Sequence, residues 1–188
     1  IHQDGRTLYP GSGFIDETGG PNAIGRTVNI PLPPETSDEG FLYALEHVIM
    51  PVLEDFKPEL VVNSAGQDNH YTDPITNMRF SAQGYARLNE ILNPDIAVLE
   101  GGYSIQGALP YVNLGIVLAM AGIDYSKVRE PDYSESAMRQ DPAITQYIKK
   151  LSKAVLDGYR QARDQDRCMP GNYFVRKKQI YYDTDGIR

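Results

Sequence analysis

Apolar residues recur at helical spacing in four stretches of the chain, and each stretch predicts an amphipathic helix. The clearest covers residues 41–56, where apolar side chains follow the i, i+3, i+4, i+7 spacing of one helix face. Ser37 or Asp38 is placed to cap this helix, and Pro58 ends it. Pro51 lies inside the pattern, so we expect it to kink or split the helix.

The other three helical stretches begin with residues that suit a helix N-terminus. Segments 81–94 and 104–122 start with Ser81 and Ser104, whose hydroxyls can cap a helix. Segment 141–163 starts with Asp-Pro, a capping residue followed by proline at the first helical position. The chain therefore predicts four helices of ordinary length.

Short apolar runs between these helices predict strands. Residues 27–30, 60–62 and 96–99 have strand character, and the last two resemble strands buried in a parallel sheet. Strands that alternate with helices predict an α/β fold with a parallel sheet and right-handed crossovers. Residues 124–140 are predicted to form a long connection, and residues 173–182 a short hairpin.

Composition narrows the class of protein. The 188 residues have the size of one domain, and a net charge of −7 argues against a nucleic-acid partner. The longest apolar segment, residues 112–123, is too short to span a bilayer, so we expect no membrane partner. The single cysteine, Cys168, fits a reducing compartment and a cytoplasmic location. Because the chain begins at Ile1 without methionine, we expect it to be a piece of a longer protein.

Polar residues with chemical potential follow two of the predicted strands. Asp68, His70 and Asp73 come after residues 60–62, and Glu100-Gly101-Gly102-Tyr103 comes directly after residues 96–99. In parallel α/β sheets, ligands bind just outside the carboxyl ends of the strands. We therefore expect both groups to meet at one rim of the sheet.

Each of these groups has two interpretations. Two carboxylates in one loop favour a divalent metal between them. Alternatively, Asp68 accepts hydrogen bonds from backbone N–H groups of the loop, and Asp73-Pro74 starts a turn. His70 is expected to be an exposed surface histidine. Tyr103 can donate to an oxyanion that forms on a carbonyl under attack, or it is a half-buried aromatic in a strand-to-helix turn.

Three motifs in the same order resemble the histone deacetylase superfamily. They are the opening His-Gln-Asp with Tyr-Pro-Gly-Ser-Gly at residues 9–13, Gly-x-Asp with Asp-Pro at residues 66–74, and Glu-Gly-Gly-Tyr at residues 100–103. The last form is typical of class II-like and bacterial members. The resemblance covers residues 1–123, and residues 124–188 look like the C-terminal extension of the acetoin-utilisation and acetylpolyamine amidohydrolase group. It implies the arginase/deacetylase α/β fold, of which this chain would be the C-terminal portion.

The resemblance implies a role for several residues. Asp73 would be a ligand of a catalytic Zn²⁺, and Tyr103 would polarise the acetyl carbonyl and stabilise the tetrahedral oxyanion. Tyr9 would form an aromatic wall of a narrow acyl-lysine channel, and Gly101 and Gly102 would line its floor. The backbone carbonyl of Ile1 would fall where relatives bind a monovalent cation, K⁺ or Na⁺.

By the same resemblance, the family's Asp-x-His zinc-ligand pair and His-His base pair precede Ile1. We therefore expect a zinc-dependent deacetylase acting on acetyl-lysine or an acetylpolyamine as the complete protein, and an inactive isolated chain. Two alternatives remain: a manganese ureohydrolase of the arginase type, or a deacetylase-like module that binds or assembles without catalysis. The substrate and the oligomeric state stay open.

Overall fold

The structure, a computed structural model, describes residues 1–168 and the side chains of residues 1–164. The predicted hairpin at residues 173–182 lies outside the described residues. Four strands and six α-helices alternate along the described chain, as the sequence pattern predicts for an α/β fold. None of the helices in residues 1–168 combines the length and the apolar character needed to cross a membrane.

The strands form two separate parallel pairs. Strand β1 (His2–Gln3) pairs with β2 (Pro31–Leu32), and β3 (Val62–Ala65) pairs in parallel with β4 (Ile96–Leu99). The predicted position of a strand at residues 27–30 is wrong, because pairing begins only at Pro31. The missing N–H of Pro31 is tolerated in a short edge strand. Strand β4 lies where the sequence predicts it.

A long helical segment connects β2 to β3 and is interrupted directly before Pro51, where the sequence predicts a kink or a split. It consists of α1 (Asp38–Ala44), a π-helical turn (Leu45–Ile49) and α2 (Met50–Phe56). The π turn has i→i+5 hydrogen bonds in place of the i→i+4 bonds of an α-helix, and this wider turn accommodates Pro51 at the start of α2. Lys57 ends α2 in the left-handed conformation, directly before Pro58.

The next two helices differ in how well their N-termini are predicted. Helix α3 (Ala82–Leu92) is capped as expected, because the Ser81 hydroxyl accepts a hydrogen bond from the Gly84 N–H. Helix α4 (Leu109–Met120) begins later than predicted, and Ser104 is not its cap. Its C-terminal end at Gly122 is confirmed, since Gly122 has a positive φ of 66°.

The connection after α4 includes a short helix, α5 (Glu135–Met138), and leads to the long helix α6 (Pro142–Cys168). Asp141 starts α6 as predicted, because its carboxylate accepts the Ala143 N–H at 2.7 Å. Gln140 accepts the backbone N–H of Ser37 at 2.9 Å and so supplies the acceptor at the start of α1. The predicted side-chain cap by Ser37 or Asp38 is wrong, since Ser37 makes no such bond and the Asp38 carboxylate binds Ser81.

The hydrophobic core lies between the helices rather than on the β3–β4 pair. Its fully buried side chains come mainly from β2, α1, the π turn and α6, and they include Leu32, Phe41, Leu45, Phe80, Val112 and Ile148. The expectation that residues 60–62 and β4 are buried is wrong for this chain: Val62 is 51% exposed and Leu99 62% exposed. Of β3 and β4, only Ala65 is a buried member of the core, and Ala97 packs against it.

Candidate active site

Asp73 lies at the end of the loop that follows β3 and is almost completely buried. Its Oδ1 accepts the N–H of Ile75 at 2.9 Å, and its Oδ2 accepts the N–H of Tyr103 at 2.8 Å. The first bond is the aspartate turn that the sequence allows. The second crosses to the loop after β4, so the carboxylate joins the exits of two neighbouring strands.

Tyr103 is held at this rim by its backbone N–H, which donates to Asp73 Oδ2. The side chain is 52% exposed. A Cβ placed on Gly101 would lie 3.3 Å from the Tyr103 hydroxyl and 3.1 Å from Asp68 Oδ2. The tyrosine hydroxyl and the Asp68 carboxylate therefore both lie against Gly101, on the same side of the loop.

Asp68 is a half-buried carboxylate beside Asp73. Burial, together with the negative charge of Asp73, raises the pKa of Asp68, while hydrogen bonds from the backbone N–H groups of Asp68 and Asn69 oppose that rise. Its backbone carbonyl also accepts the Thr76 hydroxyl. Asp68 thus holds the loop through its amides, as one of the two interpretations of the sequence proposes.

The two glycines after β4 are needed for close packing. A Cβ on Gly102 would approach Gln67 Cβ to 3.0 Å, a distance that real side chains avoid. Gln67 itself is fully buried, and its N–H donates to the Gly101 carbonyl at 2.5 Å. Gly101 and Gly102 therefore let the loops after β3 and β4 run side by side; their role in a substrate channel stays a prediction.

Tyr9 and Ile1, the other two predicted site residues, belong to the first part of the chain. Tyr9 is 92% exposed, and it precedes Pro10 through a cis peptide bond. Ile1 lines a cavity of about 250 Å³ that separates β1 from β3 and that Asp68 also lines. The channel wall at Tyr9 and the monovalent cation at the Ile1 carbonyl stay predictions.

The predicted exposure of His70 is wrong. It is 0% exposed rather than on the surface, and its Nε2 lies 2.7 Å from Glu130 Oε1. Asp68-Asn69-His70 has the Asp-x-His spacing of a ligand pair, but both imidazole nitrogens of His70 are already hydrogen-bonded. No feature of the local sequence signals Glu130, because it lies 60 residues away in the connection.

The donor set fits a metal only in part. Each oxygen of Asp73 accepts one N–H and so keeps a lone pair for a cation, as ligating carboxylates in metal sites do. Within residues 1–164, however, no three His, Cys, Asp or Glu side chains come together as a metal-binding group. Asp73 therefore fits as a single ligand of a site that needs further ligands.

Comparison with known proteins decides the family. A sequence profile of the histone deacetylase domain matches residues 1–114. The chain belongs to the histone deacetylase domain family. The matched residues include Asp73 and the Glu-Gly-Gly-Tyr segment at the rim, so the family assignment and the geometry concern the same part of the molecule.

Three relatives place the chain within the deacetylase family. It is 51% identical over 134 residues to a probable deacetylase of Archaeoglobus fulgidus, covering 66% of this chain and 37% of the relative. It is 32% identical over 151 residues to the acetoin utilization protein AcuC of Bacillus subtilis, covering 76% and 39%. A crystal structure of acetylpolyamine aminohydrolase from Burkholderia pseudomallei superposes with a TM-score of 0.56 at 29% identity, covering 65% and 35%.

These coverages set the scope of the family assignment. The chain spans 37% and 39% of the two curated relatives, so it corresponds to part of a deacetylase domain. The structural likeness confirms the arginase/deacetylase fold that the motifs imply. The parallel strand pairs flanked by helices are the portion of that fold that carries Asp73 and Tyr103.

Proposed function

We propose that the complete protein is a zinc-dependent deacetylase that hydrolyses an acetyl amide, and that this chain supplies one side of its active site. Asp73 is one of the zinc ligands in this proposal, and Tyr103 is the hydroxyl that acts on the substrate carbonyl. When bound, zinc would polarise the acetyl carbonyl and lower the pKa of a water molecule. The remaining ligands and the base belong to parts of the domain that the chain does not span.

The hydrogen bond from the Tyr103 N–H to Asp73 Oδ2, 2.8 Å long, carries this proposal. It fixes the carboxylate and the tyrosine of two strand exits relative to each other. Because Tyr103 is half exposed, its side chain is accessible to a substrate outside the chain's own core. A phenol held in this way donates to the oxygen on which negative charge develops, and a preorganised donor stabilises that charge without reorganisation.

Tyr103→Phe in the full-length protein tests the role of the hydroxyl. We expect kcat for acetyl-amide hydrolysis to fall about 100- to 1000-fold, the cost of removing one oxyanion donor. The zinc content should stay unchanged, because the variant keeps the backbone N–H that holds Asp73. Steady-state kinetics and elemental analysis of the same samples measure both quantities.

A matched control makes this test specific. Tyr43→Phe removes a hydroxyl from α1, where the ring stacks on His47 away from the rim, and it should leave kcat unchanged. If Tyr103→Phe also leaves kcat unchanged, Tyr103 has no part in the reaction. A full-length protein that binds zinc and hydrolyses no acetyl amide would instead support a binding module.

The class of substrate is the next question for the full-length protein. The relatives include an acetylpolyamine aminohydrolase, so acetylpolyamines and acetyl-lysine peptides are the two amides to compare. Arginase-type chemistry is disfavoured by the rim itself, because Tyr103 has no use in a binuclear manganese site and Asp68 and Asp73 are separated by four residues. A cytoplasmic location stays a prediction.

A further inference from the structure

A continuous chain of polar side chains links the two loops of the candidate site to a buried ion pair. The Ser104 hydroxyl lies 2.6 Å from the Thr72 hydroxyl, and Thr72 Oγ1 lies 2.9 Å from His70 Nδ1. His70 Nε2 lies 2.7 Å from Glu130 Oε1. Thr72 directly precedes Asp73 and Ser104 directly follows Tyr103, so the chain joins the immediate neighbours of both site residues.

The hydrogen bonds of this chain converge on the His70 imidazole. The backbone N–H of Thr72 donates to His70 Nδ1 at 3.2 Å, which requires a lone pair on that nitrogen. With Nδ1 as the acceptor, the hydrogen on Nε2 is donated to Glu130. The Thr72 hydroxyl, 2.9 Å from Nδ1, can donate to the same nitrogen and accept from Ser104.

The far end of the chain is fixed by burial and by a helix. His70 is 0% exposed and Glu130 is 3% exposed. Glu130 Oε1 also accepts the N–H of Ala82, the first residue of α3, at 2.5 Å. Although burial raises the pKa of Glu130, the hydrogen bonds from His70 and Ala82 lower it by more, so the group is a carboxylate. Neither partner can turn away without leaving a buried polar group unpaired.

The near end of the chain is closed by a glycine. A Cβ on Gly107 would lie 2.7 Å from both the Thr72 and the Ser104 hydroxyl oxygens, so no side chain fits there. The backbone of the turn before α4 therefore packs directly over the hydroxyl pair. The turn and the hydroxyl contact thus hold the two loops side by side.

We propose that Thr72 and Ser104 are positioning residues, which lock the loop of Asp73 to the loop of Tyr103 through the buried His70–Glu130 pair. Resting on the proposed function, this means that the chain sets the place of the Tyr103 hydroxyl relative to the metal ligand. Reactive groups need positions accurate to a fraction of an ångström, and supporting hydrogen bonds provide that accuracy. The two hydroxyls contribute to turnover without touching the substrate.

Two substitutions of Thr72 in the full-length protein separate the hydroxyl from the shape of the side chain. Thr72→Val keeps the shape and removes the hydroxyl, whereas Thr72→Ser keeps the hydroxyl. We expect Thr72→Val to lower kcat about 10- to 100-fold with KM and zinc content unchanged. Thr72→Ser should keep kcat near that of the native protein. Amide hydrogen exchange should speed up in the segment around Tyr103 in Thr72→Val alone.

Thr36→Val is the matched control for loss of a buried threonine hydroxyl. Thr36 is 0% exposed, and its hydroxyl donates to the Pro33 carbonyl at 2.7 Å, outside the candidate site. This variant should leave kcat and the exchange around Tyr103 unchanged. It corrects the comparison for any general loss of stability.

The outcomes are distinguishable. Loss of kcat in Thr72→Val, recovery in Thr72→Ser and faster exchange confined to residues 101–107 support the proposal. Unchanged exchange around Tyr103, exchange that speeds up throughout the chain, or local exchange without a change in kcat overturns it. If the native protein hydrolyses no acetyl amide, the proposed function fails, and the exchange data alone then decide whether the hydroxyl chain locks the two loops.

Discussion

Asp4 shows how one buried carboxylate organises the first loop of the chain. It is 4% exposed, and its oxygens accept the backbone N–H and the guanidinium of Arg6. The loop then turns so tightly that a Cβ on Gly5 would meet the Ser12 backbone. Arg6 also donates to the Tyr147 hydroxyl of α6, so this contact ties the loop that carries Tyr9 to the long helix.

Asp4→Asn should therefore destabilise the protein in a pH-dependent way. The Arg6 hydrogen bonds lower the pKa of Asp4 below its usual value of 3.8, so the unfolded state binds the proton more tightly. The contribution is complete above the unfolded pKa and is lost as pH falls through the folded pKa. Because the Arg6 side chain is 64% exposed, we expect a loss of only about 1 kcal/mol at pH 7.

Urea unfolding at pH 7 and at pH 3 measures this loss for Asp4→Asn. The difference from the native protein should shrink at the lower pH, because Asp4 is then becoming protonated. Asp16→Asn changes an exposed aspartate of the same region and should have little effect at either pH. A loss that is the same at both pH values would contradict the argument from charge.

At the scale of elements, the helices are predicted better than the strands. The apolar spacing of residues 41–56 locates the helical segment of α1, the π turn and α2. This works because an amphipathic helix carries its apolar face in its own sequence, independent of distant residues. The burial of β3 and β4 depends on what covers the sheet, which their own residues do not encode. Ser104 fails as a cap because its hydroxyl binds Thr72 instead, a contact over 32 residues that no local pattern reveals.

The candidate site also has a part that the sequence predicts and a part that it does not. Asp73 and Tyr103 lie close together because parallel strands end at one rim of a sheet. The predicted strand order therefore predicts their proximity, which the hydrogen bond from the Tyr103 N–H to Asp73 Oδ2 shows. His70 was predicted to be exposed because a histidine in a polar loop usually is. Its burial depends on Glu130, whose position is set by how residues 124–140 fold back onto α3.

Gly40 marks the closest approach between two elements, α1 and α6. A Cβ there would lie 2.5 Å from Ile148 Cδ1 and 2.7 Å from Gln140 Oε1, and both residues are buried. Gln140 Oε1 also accepts the N–H of Ser37, the residue directly before α1. The two helices can pack at this distance only because residue 40 has no side chain.

Gly40→Ala should destabilise the protein by about 1–3 kcal/mol, the usual cost of overfilling a packed interior. Gly158→Ala is the control, since nothing lies within 4 Å of a Cβ at that position of α6. That variant should stabilise the protein by up to about 1 kcal/mol, because alanine favours a helix over glycine. Thermal unfolding of both variants measures the two effects. A Gly40→Ala variant as stable as the native protein would show that the neighbouring side chains can move aside, which contradicts tight packing at this position.

At the scale of the whole molecule, the β3–β4 pair is the unusual surface. Leu60, Val62, Ile96 and Leu99 are each 45% exposed or more, although parallel sheets are nearly always covered on both faces. The cavity of about 250 Å³ between β1 and β3 is lined by Asn63, Ser64 and Ala65 of β3. Because the chain spans only 37% of its Archaeoglobus relative, we expect the rest of the deacetylase domain to cover this surface in the full-length protein.

The same partial coverage predicts how the chain binds zinc. In the proposed function Asp73 supplies one carboxylate ligand, and no group of three ligating side chains exists within residues 1–164. A single ligand holds zinc weakly, since catalytic zinc sites use three protein ligands. The isolated chain should therefore contain far less than one zinc per molecule and show no deacetylase activity, whereas the full-length protein should contain about one.

Elemental analysis of both proteins after dialysis measures this difference, with circular dichroism to confirm that the isolated chain is folded. Asp73→Ala in the full-length protein should lower the zinc content, while Asp16→Ala, at an exposed position outside the site, should not. Stoichiometric zinc in the folded isolated chain would mean that the ligands lie within this chain after all. In that case, the division of the active site proposed above would be wrong. Asp68 would be the first further ligand to test, because its carboxylate lies beside Asp73 and, like the Tyr103 hydroxyl, against Gly101.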